Sequence, residues 1–298
     1  MHMNEFLPEG LRGAGSYTLE RLRRARADGE VLEARAVFCD EHHALHVDLG
    51  CCPGVIAREE GAAGIRTGLT RDIAILSRVG KTVSFLVTEV FDDHAVLSRA
   101  AAQEAALDHL LGQHRPGDVI PAVVTNPTGF GAFCDVGCGV PALIGLENIC
   151  VARIRHAGER FSRGQRICAA IRTLDPSQRR VTLTHKELLG TWQENAERFR
   201  AGQTVCGVVR GVRDYGVFVE LTPNLSGLAE ADQSLRPGDG VSVFIKSILP
   251  EKLKIKLSVI QKLDAAPPAE PLSHFITEGH LGVWQYGNNC YAKDMTIF

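Results

Sequence analysis

The chain repeats itself, and the repeat limits what it can fold into. Aromatic-Gly-x-Phe occurs in NPTGFGAFCDVG (126–137) and again, 85 residues later, in VRDYGVFVELTP (212–223). In that frame Gly117, Ile120, Val123 and Val124 fall on Gly202, Val205, Val208 and Val209, and Phe130, Gly131 and Phe133 fall on Tyr215, Gly216 and Phe218. Further on the offset drops to 74, where Gly164, Ile167, Ile171, Leu174 and Leu183 meet Gly238, Val241, Ile245, Ile248 and Leu257. The later copy is therefore eleven residues shorter between its halves. A fainter copy lies upstream, with Gly80, Val83, Val87 and Val90 on Gly164, Ile167, Ile171 and Leu174. Periods this long exceed solenoid repeats, so each unit must close its own core.

Within a unit, short β-branched and apolar runs alternate with Gly, Pro and Asp, as in DVIPAVVTN, GAFCDV, PALIGL, QRICAAIRTL and RRVTLT. Five short strands in about 70 residues remove their edges by closing into a small barrel. The predicted fold is mainly β: three tandem five-stranded oligonucleotide-binding (OB-fold) barrels joined by short α-helices. The predicted units are an N-terminal extension with a short helix (1–28), a degenerate barrel (29–99), a helix (100–113), a barrel (114–186), a helix (187–199), a barrel (200–260), and a linker with a tail (261–298). Thr184-His-Lys-Glu187 reads as a capping box opening the second connecting helix, with Leu188, Trp192, Ala196 and Phe199 on one face. DAAPPAEP (264–271) reads as a stiff linker, and the residues after it follow no pattern we can interpret.

Two readings of the recurring motif stand. Both phenylalanines of a pair belong to the core, or a glycine in a bulge or at the turn into the strand lets both rings lie on one surface as a stacking platform. Bases stack on such rings with little sequence preference. The net charge of −2 offers no global sign of a phosphate partner, so a basic footprint must be local. Between residues 153 and 186, Arg153, Arg155, Arg160, Arg163, Arg166, Arg172, Arg179, Arg180 and Lys186 face only Glu159 and Asp175. In the last copy Lys252, Lys254 and Lys256 alternate, which in a strand puts them on one face, either to track phosphates or to guard an edge. The first copy has His42, His43 and Leu45 where the middle one has Phe130, Gly131 and Phe133, so its platform is expected to be absent.

Neither the nine cysteines nor His42, His43 and His46 have metal-ligand spacing, so no metal is expected. No phosphate-binding Gly-Lys-Ser/Thr loop or carboxylate cluster appears, so no cofactor, catalytic residue or small-molecule substrate is assigned. No window is apolar enough for a spanning helix and MHMNEFLPEG carries no signal core, so we expect a cytoplasmic protein without a membrane partner.

The order of these elements, from the D-Y/F-G-x-F pattern through a P-G-D or R-G-Q turn to I-x-x-L-D-P-x-x-R-R-V-x-L-T, resembles the RNA-binding module of the bacterial ribosomal protein S1 family. With three modules, over about residues 29–260, the chain is similar to the shorter S1-like proteins of Gram-positive bacteria. The resemblance implies single-stranded RNA or mRNA as partner, a role in translation, and a degenerate first module that contacts protein, the small ribosomal subunit being the expected one. It carries the family's aromatics to Phe130 and Phe133 and to Tyr215 and Phe218. The late acidic and basic pair goes to Asp175 with Arg179 or Arg180 in the middle module, while Leu249 replaces the Asp and Lys254 stands nearest the Arg in the last. Gly145 and Glu230 occupy the family's histidine position. Acidic Glu230 ranks the last module second. The RNA surface is thus expected at Phe130, Phe133, Arg153, Arg155, Asp175, Arg179, Arg180, Tyr215, Phe218, Lys252 and Lys254. The alternative is a protein-interaction scaffold using the same barrels in transcription, RNA turnover or ribosome assembly.

Overall fold

The computed structural model describes residues 6–265, 272–287 and 295–298. It contains three closed five-stranded barrels. The first is made of β1 (Leu32–Cys39), β2 (Leu45–Asp48), β3 (Pro53–Ile56), β4 (Thr82–Val90) and β5 (Ala95–Ser98). The second is made of β6 (Val119–Pro127), β7 (Gly131–Asp135), β8 (Pro141–Gly145), β9 (Arg166–Asp175) and β10 (Arg180–Thr184). The third is made of β11 (Thr204–Arg213), β12 (Gly216–Thr222), β13 (Leu225–Ala229), β14 (Gly240–Leu249) and β15 (Lys254–Lys262). All three share one connectivity, in which the third and fifth strands pair in parallel and the rest are antiparallel. Alternation fills each barrel: Ile167, Ala169 and Ile171 of β9 and Val181 and Leu183 of β10 point inward together. No helix among the described residues is long and apolar enough to cross a membrane.

Helix α1 (Leu19–Asp28) opens on a Thr18 cap and ends at Gly29, and the short α2 (Ile73–Leu76) lies in the crossover between β3 and β4. Helix α3 (Arg99–Gln113) is capped by Ser98 and packs Ala102, Ala106 and Leu110 into the core of the second barrel, where alanines permit close approach. The predicted second connecting helix is a correction. Glu187 does bond Thr184, at 2.5 Å, but the turn Lys186–Leu189 is a 3-10 helix that stops at Gly190, and α4 covers only Trp192–Ala196 under a Thr191–Glu194 capping box. Gly190 has φ 82°, and a Cβ there would lie 2.6 Å from the Phe275 ring. A residue of the tail therefore occupies the space that a continuous helix needs.

That tail joins the second and third barrels. Phe275 N–H donates to Leu188 O at 2.8 Å, Val119 N–H to Gly279 O at 2.9 Å and Leu281 N–H to Gly117 O at 2.8 Å. Trp192 N–H donates to Tyr286 O at 2.8 Å, and the Tyr286 hydroxyl to Asn224 O at 2.5 Å. A last hairpin of β16 (Val283–Gln285) and β17 (Met295–Ile297) places Thr296 Oγ1 2.6 Å from Glu187 Oε1. Most of the expected stiff linker, 266–271, lies outside the described residues.

His185 sits under this tail, fully buried. Its Nδ1–H donates to Ile149 O at 3.0 Å, so Nε2 accepts from His274 Nε2–H at 2.8 Å. Burial holds its pKa down to about 3, and the neighbouring His274 adds to the effect. An unfolded histidine titrates near 6.5, so below that pH the unfolded chain takes up a proton that the folded one refuses. This contribution to stability is complete above pH 6.5 and is lost toward pH 3, at up to about 1.4 kcal/mol per pH unit. Asp135 works in the opposite sense, since burial and then Glu9 raise it to about 7 and its charge costs stability as pH rises from about 4. We expect His185→Asn, which keeps a donor toward Ile149, to lose less stability than the parent between pH 7.5 and pH 5 in thermal melts. The Asp135 contribution is common to both proteins, so equal losses would mean that His185 is protonated in the fold.

Candidate nucleic-acid interface

Gly131 is the first residue of β7 and Gly216 the first of β12, with φ 155° and 157°. A Cβ on Gly131 would lie 2.2 Å from Ile144 O, and one on Gly216 2.5 Å from Ala229 O. The next strand crosses there at backbone contact, so only glycine fits at either place. Phe130 and Tyr215 belong to the turns before these strands. The Thr128 N–H and hydroxyl both donate to Gly131 O, at 2.8 and 2.7 Å, and close the first turn. Phe133 then points outward between Ala132 and Cys134, which fill the barrel. The irregularity in register lies in the partner strands, between Val124 and Asn126 and between Val209 and Gly211, rather than at the glycines.

Both pairs of rings therefore lie outside the core. Phe130 is 60% exposed and its centroid is 5.8 Å from that of half-buried Phe133, at 84°. Tyr215 is 69% exposed and stands 6.1 Å from Phe218 at 90°. In each pair one ring presents its edge to the other, which leaves a face open to solvent.

Strand pairing continues the surface sideways. Phe133 is opposite Leu143 and Leu143 opposite Thr182; in the third barrel Phe218 is opposite Leu228 and Leu228 opposite Lys256. Tyr215, Phe218, Leu228, Lys252, Lys254 and Lys256 line one cleft of about 820 Å³. The four residues expected from the last module thus converge. Lys252 reaches the cleft from the 3-10 turn Pro250–Lys252, so strand alternation accounts only for Lys254 and Lys256. Glu230 lies 2.6 Å from Lys246, which holds its carboxyl below the usual range and neutralises the charge expected to repel phosphate. Sequence reasoning missed Tyr286, which lines the same cleft from the tail.

The basic footprint of the second barrel is smaller than its arginine count. Arg160 Nη2 contacts both oxygens of Glu220 at 2.6 Å, and Arg210 joins Glu220 and Glu159 at 2.5 Å each, tying the second barrel to the third. Arg172 donates to Ile297 O and lies 5.9 Å from the Phe298 ring centroid. Arg179 takes a left-handed φ of 49° and pairs with Asp108 of α3 at 2.7 Å. Asp175 Oδ1 accepts from Ser177 N–H, Ser177 hydroxyl and Gln178 N–H, so it shapes the β9–β10 turn, and these donors lower its pKa. Of that carried-over trio, Arg180 is the one not held by a turn or a helix. Arg153 and Arg155 are exposed on the loop that the last module lacks. At one end of this loop Ala157 N–H donates to Thr128 O at 2.9 Å beside the first aromatic pair; at the other Val151 lines the cleft of the second pair. The two arginines stand between the platforms.

The first barrel corrects the expectation that its platform is absent. His46 is opposite Val55, and Val55 opposite Val96, as Phe133 is opposite Leu143 and Leu143 opposite Thr182. His46, not Leu45, therefore holds the place of Phe133, and Leu45 is in the core. The His46 ring stacks on half-exposed Phe38 at 4.2 Å and 8°. Its neighbours are acidic. His46 lies 3.0 Å from Asp40, and His43 lies 3.2 Å from Asp72.

Residues 113–186, the second barrel with its approach, match the model of the S1 RNA binding domain. The chain is 32% identical to small ribosomal subunit protein bS1 of Leuconostoc lactis over 191 residues, which is 59% of this chain and 44% of that protein. It is 30% identical to bS1 of Staphylococcus aureus (strain COL) over 216 residues, 66% of this chain and 54% of the relative. The chain spans about half the length of the curated relatives it matches. Among solved structures, a multidomain protein with nucleic acid binding domains from Streptococcus pneumoniae TIGR4 aligns over 78% of this chain and 73% of its own, at 14% identity and a TM-score of 0.26.

Proposed function

Since the chain belongs to the S1 family as an S1-like protein of tandem domains, we propose that it binds single-stranded RNA, mRNA in particular, without catalysing a reaction, and acts in translation in the cytoplasm. One observation carries this reading: two barrels expose the same glycine-positioned aromatic pair, with Arg153, Arg155 and Arg180 around one and Lys252, Lys254 and Lys256 around the other. A platform of open ring faces takes bases of any identity, and the cations take the phosphates between them. Each barrel alone binds weakly, and two on one chain gain by effective concentration.

The first barrel has another part in this reading. Phe38 and Val37 are half-exposed beside Asp40 and Glu41, an apolar surface with an acidic rim. That combination repels phosphate and suits a basic protein surface, and the relatives are named as proteins of the small ribosomal subunit. We assign it to docking on that subunit.

Binding of a fluorescein-labelled oligo-U, followed by anisotropy at several salt concentrations, tests the proposal. The logarithm of the affinity should fall with the logarithm of salt, by about 0.7 for each phosphate neutralised on a single strand. Absence of binding at low salt, or binding indifferent to salt, would favour a protein-interaction scaffold.

A further inference from the structure

A second cleft, of about 1050 Å³, lies between the first and second barrels. One wall is the crossover of the first barrel around α2, with Leu69, Arg71, Ile73 and Lys81. The other is the second barrel, with Phe133, Arg163 and Arg166. Arg71, Lys81, Arg163 and Arg166 are all exposed. The two acidic side chains in the lining are consumed elsewhere: Glu9 is buried against Arg99 and Arg78, and the Asp135 carboxylate accepts three backbone N–H groups. The accessible charge of the cleft is therefore positive from both sides. Burial and then the charges of Arg78 and Arg163 press the Lys81 pKa down, against the opposing pull of Glu9. Leu69, 87% exposed, and Ile73, 65% exposed, add apolar surface to the same wall. Arg163 is held at the lip by its Nε–H bond to Thr125 O, 2.8 Å, next to the strand of Phe133.

We infer that this cleft is an additional RNA subsite, in which a strand leaving the Phe130–Phe133 platform passes between the barrels, its phosphates on Arg71, Lys81, Arg163 and Arg166 and its bases against Leu69 and Ile73. The inference rests on the proposed function of the platform. Phe133 belongs to both surfaces, so bound RNA needs no gap to reach the cleft, and the positive sign fits a polyanion. The first barrel, whose own aromatic face is acidic, thereby contributes to RNA binding through the basic side chains of its crossover.

The test uses the full chain and a labelled oligo-U of about 20 nucleotides, longer than the roughly 4–16 that one barrel covers. Arg71→Glu with Lys81→Glu should weaken binding about tenfold and reduce the salt slope by about 1.4, two phosphate contacts at about 0.7 each. Should charge reversal unfold the chain, Arg71→Ala with Lys81→Ala should give the same reduction in slope. Unchanged affinity and slope in these variants, with binding weakened in Phe130→Ala/Phe133→Ala, would overturn the subsite and leave the platform intact. Failure of the parent chain to bind would overturn both. If a labelled poly-glutamate peptide binds the parent and not the Arg71/Lys81 variant while RNA binding is unaffected, the cleft is an acidic-peptide site and the inference falls.

Discussion

A chain carrying Phe130→Ala, Phe133→Ala, Tyr215→Ala and Phe218→Ala is expected to lose oligo-U affinity by about a hundredfold or more at low salt, with its melting temperature little changed. Removing an aromatic platform costs about 1 to 3 kcal/mol per stacked base, and losing both platforms also removes the gain from tethering. Phe130 and Tyr215 are exposed and the other two rings line surfaces rather than cores, so their truncation leaves no internal cavity. Sequence ranks the middle module first because Glu230 would repel phosphate. The structure withdraws that reason, since Lys246 pairs with Glu230 while Arg160, Arg172 and Arg179 of the middle barrel are engaged in the protein. The two double variants, Phe130→Ala/Phe133→Ala and Tyr215→Ala/Phe218→Ala, are accordingly expected to lose comparable amounts. Retention of parental affinity in the quadruple variant would mean that the rings serve a protein surface.

What could be read from the sequence was periodic, and what could not was paired over long distances. Gly131 and Gly216 recur in frame because the same backbone approach recurs, and the aromatic partners recur with them. The barrels follow from the strand pattern for the same reason. Register is harder: shifting a strand by one residue exchanges its faces, so aligning Leu45 with Phe133 hid the Phe38–His46 stack that pairing with Val55 exposes. Charge counts name residues without their partners. Arg160 meets Glu220 across 60 positions, Arg179 meets Asp108 across 71 and Glu9 meets Arg99 across 90, and no local pattern signals such pairs. The tail was illegible because it adds three-residue strands and single hydrogen bonds to finished barrels.

The pair over the longest of those separations is expected to have the largest effect on stability. Glu9 accepts from Arg99 Nε at 2.6 Å and Nη2 at 2.9 Å, and both side chains are 4% exposed. Arg78 lies 3.3 Å away, and Ser84 N–H donates to Glu9 Oε1 at 3.2 Å. Burial opposes the charge on Glu9, but the two guanidinium groups hold its pKa below the usual carboxylate range. Its backbone ties the same segment to the second barrel, with Glu9 N–H donating to Asp135 Oδ2 at 2.8 Å and Cys138 N–H to Leu7 O at 2.9 Å. Glu9→Ala would leave Arg99 buried, with Gly61 O accepting from its Nη1 at 3.2 Å but without its carboxylate, and a buried charge stripped of its partner costs about 3–5 kcal/mol. The double variant Glu9→Ala/Arg99→Met should recover much of that loss, because a buried pair replaced by apolar side chains leaves no charge unpaired. Urea denaturation of the two single variants and the double one measures the coupling. A loss below about 1 kcal/mol in Glu9→Ala would show that Arg99 reaches water when its partner is gone, and that the N-terminal segment does not lock the first barrel to the second.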